Sequence, residues 1–155
     1  MPTKIKQPAR VPTGIQNLDS LTEGGFEKNS VNIIAGPTGS AKTIFAAQFI
    51  MDGLKRGEPC LYVSFEEKKS QFYENMLDFD WDFESFEKKG LLTFLEYTPE
   101  KVNLMIEEGG GMIETVALTK KISRIVIDSL NPFSLLFEKK LEKLKVRIER
   151  EKHNQ

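Results

Sequence analysis

The chain has 155 residues, with 22 Lys and Arg against 23 Asp and Glu for a formal net charge of −1; this length holds one domain, and the balance provides no global basic field to draw it onto nucleic acid, leaving only a local patch open. Hydrophobic residues at 39% and charged residues at 29% are ordinary for a globular protein. One cysteine, Cys60, excludes an intrachain disulfide framework and a Cys-cluster zinc site, and one histidine, His153 near the end, argues against Ser-His-Asp or His-rich metal chemistry.

Residues 1–12 contain Pro2, Pro8 and Pro12 and no periodicity, which predicts an extended lead-in. The segment carries positive charge without a following apolar stretch, so it does not read as a signal peptide. No apolar run in the chain approaches the roughly 20 residues that span a bilayer. The expectation is a cytosolic protein with no membrane contact. Next comes a loop-rich stretch with one short helix over Ile15–Leu21, capped by Thr13, and a turn at Gly24-Gly25. Asn29 suits a left-handed turn.

Val31-Asn32-Ile33-Ile34-Ala35 is a short apolar run ending in glycine and reads as a buried parallel strand. From Lys42, Phe45, Ala46, Phe49, Ile50 and Leu54 recur at helical spacing until Gly57. Cys60–Phe65 predicts a second strand and Ser70–Phe79 a helix with Phe72, Met76 and Phe79 on one side. Leu91–Leu95, Met112–Lys121 and Arg124–Asp128 predict a strand, a helix and a strand. Strands alternating with helices imply right-handed crossovers and an α/β fold with a mostly parallel sheet and flanking helices. Gly109-Gly110-Gly111 reads as a flexible break.

Between the first predicted strand and the first long helix stands Gly36-Pro37-Thr38-Gly39-Ser40-Ala41-Lys42-Thr43. It fits the phosphate-loop pattern G-x-x-x-x-G-K-[ST] except that alanine replaces the second glycine. The chemistry needs glycine because backbone N–H groups must converge on phosphate oxygens. The helix that begins there adds unpaired N–H groups and the positive end of its dipole. In this pattern Lys42 reaches the β- and γ-phosphates and the Thr43 hydroxyl ligates Mg²⁺. Ala41 at a helix start is expected to cause no backbone strain, with its methyl left to crowd a phosphate or the neighbouring strand.

Ile125-Val126-Ile127-Asp128-Ser129 is an apolar strand ending in an acid, the Walker-B form, in which Asp128 holds Mg²⁺ directly or through water. Tyr62-Val63-Ser64-Phe65-Glu66-Glu67 places two carboxylates at a strand's C-terminal end, facing the crevice where parallel sheets bind ligands. One of them is placed to polarise an attacking water. The alternative is that Glu66 and Glu67 are solvated acids opening the next helix, favoured by its dipole.

Taken in order, Arg10-Val11-Pro12-Thr13-Gly14-Ile15 with Leu18-Asp19, Gly24-Gly25-Phe26, the phosphate loop, Tyr62–Glu67, Trp81-Asp82 and Arg124–Ser129 resemble the KaiC/RadA branch of the RecA-like P-loop ATPases, to about Phe137. The Phe65-Glu66-Glu67 strand end is more similar to KaiC than to RadA. The resemblance implies ATP and Mg²⁺, a ring or filament with the site at a subunit interface, and Glu66 and Glu67 as the catalytic pair, the first activating water. Trp81 has no chemistry in the family and is expected to pack.

Family domains continue for several strands past the Walker-B strand, whereas these residues end in one charged helix. The strand that the family inserts beside the phosphate-loop strand, its γ-phosphate sensor, the DNA loops and the finger residues have no counterpart here. The resulting expectation is a RecA-like core over 13–137, incomplete on its C-terminal side. It leaves an unpaired edge on the phosphate-loop strand, and its hydrolysis is weak or dependent on assembly. Loss of an arginine finger alone costs about 10³–10⁵ in rate. A non-hydrolysing relative that senses nucleotide or binds a partner is the alternative, followed by a RadA-like repair module. The expected partners are nucleotide and a second copy or a related ATPase subunit; nucleic acid has no support in the charge.

The last predicted segment is a charged amphipathic helix and tail over 138–155. Phe137, Leu141, Leu144 and Ile148 form an a/d stripe of fewer than three heptads. It reads as a crossover helix packed on the sheet, with a dimerising or partner-binding helix, or contact of its Lys and Arg with nucleic acid or membrane, as the alternatives.

Overall fold

The computed structural model describes residues 8–98, 101, 102, 104, 111–131 and 134. The expected helix over 138–155, residues 1–7 of the lead-in and Gly109-Gly110 lie outside them. Strand β1 (Arg10–Val11) pairs antiparallel with β2 (Phe26–Glu27), a ribbon too short for any alternation to announce it. Gly25 sits at φ 115°, and a Cβ there would collide with the Val11 carbonyl, so the ribbon requires glycine. Between the two strands, helix α1 (Leu18–Leu21) begins at Leu18 rather than Ile15. Thr13 is not its cap; that position is Asn17, at φ 65°. Thr13 instead is fully buried, accepts from the Ile15 amide at 3.1 Å and donates to Asp19 Oδ1 at 2.6 Å. The Asp19 carboxylate also accepts from the Thr13 and Gly14 amides. Asn29 does take the left-handed turn, at φ 62°.

The main sheet is parallel, in the order β4-β3-β5, with β3 (Cys60–Ser64) between β4 (Leu92–Glu96) and β5 (Arg124–Asp128). All five residues of β3 are buried, as a strand covered on both faces must be. The register sets Ser64 opposite both Glu96 and Asp128, so the three C-terminal ends are level. Helix α2 (Lys42–Lys55) lays Ala47, Ile50, Met51 and Leu54 into the core, and Gly57 at φ 76° follows its end. Helix α3 (Lys69–Leu77) buries Phe72 and Met76 and stops before Phe79, which stays partly exposed. Helix α4 (Phe83–Lys88) escapes a periodicity reading because it is short; its start is fixed by the Asp82 side chain accepting from the Ser85 amide. Helix α5 (Gly111–Thr119) precedes β5.

Period-two alternation along β3 divides the core. Cys60 and Tyr62 pack with Phe72, Phe83 and Phe94, while Leu61, Val63 and Phe65 pack with Val102. Trp81 lies at the rim of the first cluster, stacked on Phe79 at 5.1 Å. At the N-terminal end of β5 a buried arginine, Arg124, donates to both carboxylate oxygens of Glu58 and to the Pro12 and Phe49 carbonyls. It also pairs with Asp52 at 3.1 Å and lies 4.7 Å from the Phe49 ring centre. One side chain thus joins the lead-in, α2, the approach to β3, and β5.

One predicted element is absent. Val31–Ala35 forms no strand; residues 31–41 are all exposed, Val31 at 93% and Ile33 at 75%. A strand needs a hydrogen-bonded neighbour as well as apolar side chains, and among the described residues none pairs with this run. With no strand at 31–35, the expected unpaired edge is not found there; among the described residues β4 and β5 are the outer strands of the sheet, and on β5 Ile125 and Ile127 are 44% and 43% exposed.

Candidate functional site

The phosphate-loop residues Gly36 to Ala41 are exposed, and Lys42 and Thr43, in the first turn of α2, are half-buried. Gly39 sits at φ 80°. Ala41, the residue before α2, takes φ 63° and ψ 26°, the left-handed region. The expectation of a strain-free alanine is therefore corrected: the chain turns into α2 through a conformation that suits glycine, and the Cβ of Ala41 is carried there at a cost. The Ala41 carbonyl accepts the Phe45 amide at 2.9 Å and so starts the helix. No side chain caps that end of α2, so the amides of its first turn keep their donors for a ligand. The Lys42 ammonium crosses the loop and donates to the Gly36 and Pro37 carbonyls, both at 2.8 Å. Lys42 is thereby held at the loop its charge would serve.

The second half of the site comes from the level strand ends. The Thr43 hydroxyl donates to Asp128 Oδ2 at 2.8 Å, across 85 residues of sequence. The Tyr62 phenol donates to the same oxygen, also at 2.8 Å. Burial and then the neighbouring Asp128 charge push the Tyr62 pKa far up, so the phenol keeps its proton and acts as a donor. The Phe65 amide donates to the Asp128 carbonyl at 2.9 Å and extends the β3–β5 pairing past Ser64.

Glu66 and Glu67 follow β3 on the same edge. Glu66 Oε1 accepts from the Ser129 hydroxyl and from the Asn131 side-chain Nδ2 at 3.2 Å. Glu67 Oε1 accepts from Asn75 on α3 at 2.7 Å. The Ser64 hydroxyl fixes the bend between them, accepting from the Glu67 amide at 3.0 Å and donating to its carbonyl at 2.7 Å. Neither acid caps α3, whose cap position is Lys68 with no side-chain bond. Partial burial raises the Glu67 carboxyl above its ordinary value, the Asn75 bond pulls against this, and the Asp128 charge adds to the rise. Glu67 is accordingly a stronger proton acceptor than an exposed glutamate.

The oxygens of Thr43 and Asp128 suit a hard cation. Among the described residues no three His, Cys, Asp or Glu side chains gather as a metal cage. Mg²⁺ does not require one, since it takes one or two protein ligands together with substrate phosphates and water. An open groove of about 430 Å³ runs from Ile34 and Ala35 along Phe45 to Gln48, and none of Glu66, Glu67 and Asp128 lines it. No described helix is long and apolar enough to cross a membrane.

Four polar partners of the site were not singled out from the sequence: Tyr62, Asn75, Ser129 and Asn131. A tyrosine within an otherwise fully buried strand was the available signal for the first, because a buried phenol requires a partner. Ser129 and Asn131 stand one and three residues after Asp128, and nothing in the sequence tied either of them to Glu66.

Comparison with known proteins agrees with the fold. A family model described as the KaiC ATPase matches residues 11–151. The circadian clock protein KaiC3 of Synechocystis is 39% identical over 128 residues, 78% of this chain and 25% of its own length. The circadian clock oscillator protein KaiC of Picosynechococcus is 37% identical over 129 residues, 83% of this chain and 25% of its own length. The chain therefore spans about a quarter of the length of these relatives. Among solved structures, a KaiC-like protein of the hyperthermophilic archaeon Pyrococcus horikoshii superposes with a TM-score of 0.73 at 35% identity, covering 83% of this chain and 57% of that one.

Proposed function

We propose that the chain, which belongs to the KaiC ATPase family of RecA-like P-loop nucleotide-binding proteins, binds ATP with Mg²⁺ and hydrolyses it weakly unless assembled with further subunits. The observation that carries the reading is the Thr43–Asp128 hydrogen bond, which joins the phosphate loop to the acidic strand end. The free backbone N–H groups of the loop and of the first turn of α2, together with the Lys42 ammonium, would receive the phosphates. Thr43 and Asp128 would hold the metal, which would supply positive charge against the phosphates. Glu66 and Glu67 are the candidates for orienting a water and taking its proton.

Assembly dependence draws support from the exposure of residues 36–41. A water-excluded site strengthens electrostatic stabilisation, and a second copy or a related subunit laid over the loop would exclude water. A non-hydrolysing, nucleotide-sensing relative is the second reading, favoured by Glu66 being tied to Ser129 and Asn131. The same proposal assigns the chain to the cytosol, where ATP and Mg²⁺ are supplied.

The test is a titration with a fluorescent ATP analogue together with radioactive ATP hydrolysis at several protein concentrations. Lys42→Ala is expected to weaken binding at least tenfold, and turnover per chain to rise with concentration. Unchanged affinity in Lys42→Ala overturns the binding claim. Turnover that persists in that variant overturns the assignment of hydrolysis to this site. Binding without turnover at any concentration selects the sensing reading.

A further inference from the structure

Tyr62 takes no part in the roles just assigned, yet its hydroxyl ends on the acid that would hold the metal. The residue is 1% exposed. Its ring is stacked on Phe94 at 5.2 Å, with planes 3° apart, and is tilted against Phe72 at 4.6 Å. It pairs in register with Val126, two residues before Asp128, and the phenol reaches along β5 to the end of the strand. Tyr62 and Thr43 both donate to Oδ2 of Asp128, and among the described residues no donor reaches Oδ1.

We propose that Tyr62 is a positioning residue that fixes which oxygen of Asp128 is presented to a divalent cation, an inference that rests on the nucleotide reading above. A carboxylate free to turn about its last torsion offers either oxygen. Two donors converging on Oδ2 remove that freedom and leave Oδ1 with its lone pairs for the cation. The Thr43 hydroxyl, while donating to Oδ2, keeps its own lone pairs for the same ion. Groups that orient a metal ligand without touching the metal commonly change affinity by 10–100-fold when lost. Phenylalanine at 62 would keep the stacking on Phe94 and Phe72 and remove only the donor.

The experiment titrates Mg²⁺ against wild type and Tyr62→Phe at fixed fluorescent ATP analogue, with a parallel nucleotide titration in EDTA and a thermal melt to verify folding. The expected result is about a tenfold loss of apparent Mg²⁺ affinity, with affinity in EDTA changed less than twofold. Equal losses in the two arms make Tyr62 a packing residue and overturn the proposal, as does an unchanged Mg²⁺ affinity. In an Asp128→Asn background the further change Tyr62→Phe is expected to lose nothing more, because the phenol acts through the carboxylate. A full additional loss there also overturns it. Wild type that binds nucleotide with no response to Mg²⁺ refutes the metal site itself, a result separate from failure at Tyr62.

Discussion

Replacing Ala41 by glycine tests the geometry of the phosphate loop without touching its chemistry. Ala41 occupies φ 63°, ψ 26°, with an exposed side chain. A Cβ in this region costs about 1–2 kcal/mol. Glycine removes that cost and adds about 0.4–1 kcal/mol of conformational freedom to the unfolded chain. The net expectation is a stabilisation of about 0.5–1 kcal/mol, or a rise in Tm of about 1–4 °C for a chain of this size. Urea titration and thermal melts by circular dichroism measure it. Nucleotide affinity separates two cases. If the loop keeps its backbone on binding, the strain is present both free and bound, and affinity shifts less than threefold. If it opens, affinity changes by more than the stability does. A fall in Tm in Ala41→Gly would refute the left-handed reading of this position.

Three other outcomes follow from groups away from the loop. Burial raises the Asp19 carboxyl, but the Thr13 hydroxyl and the Thr13 and Gly14 amides outweigh it and hold the group below its ordinary value. Its stabilisation is therefore present above the unfolded value near about 3.9 and is lost as pH falls through the folded one; Asp19→Asn is expected to cost about 1–3 kcal/mol at neutral pH and much less at the acid end, read by urea unfolding across pH. Burial pushes the Cys60 thiol up to about 12, so a thiol reagent at neutral pH is expected to label it at least a hundredfold faster in urea than in buffer. Arg124→Met leaves Glu58 without its ion-pair partner and the Pro12 and Phe49 carbonyls without their donor, while Asp52 keeps Arg56, and is expected to cost about 3 kcal/mol, measured by chemical denaturation, with Arg124→Lys falling between.

The parts of the fold that the sequence made legible are those whose signal is local. The spacing of Phe45, Ala46, Phe49 and Ile50 is realised in α2, and the predicted strand Arg124–Asp128, apolar at Ile125-Val126-Ile127, coincides with β5. The phosphate loop was legible because it combines fixed residue types with a following helix. Val31–Ala35 misled for a physical reason: an apolar run states what a segment would bury, and a strand also needs a neighbour that the run itself does not specify. Ala41 was misread because backbone angles at a helix start depend on how the loop approaches it. Tyr62 and Asp128 are 66 residues apart and meet only through the β3–β5 register. Thr13 was read as the cap of the first short helix, whereas it bonds Asp19 within that helix and the cap position is Asn17.

The hydrated side chains of Val31, Ile33, Ile125 and Ile127 have a calorimetric consequence. The heat-capacity increase on unfolding comes from apolar surface newly exposed to water, about 0.45 cal/K/mol for each Å². Side chains already wet in the folded state add little to it. The isolated chain is therefore expected to have a shallower stability curve than its length suggests, less prone to cold denaturation and with less curvature on warming. Any strand or subunit that covers these residues announces itself first as a negative heat capacity of binding, before a change in catalysis is sought.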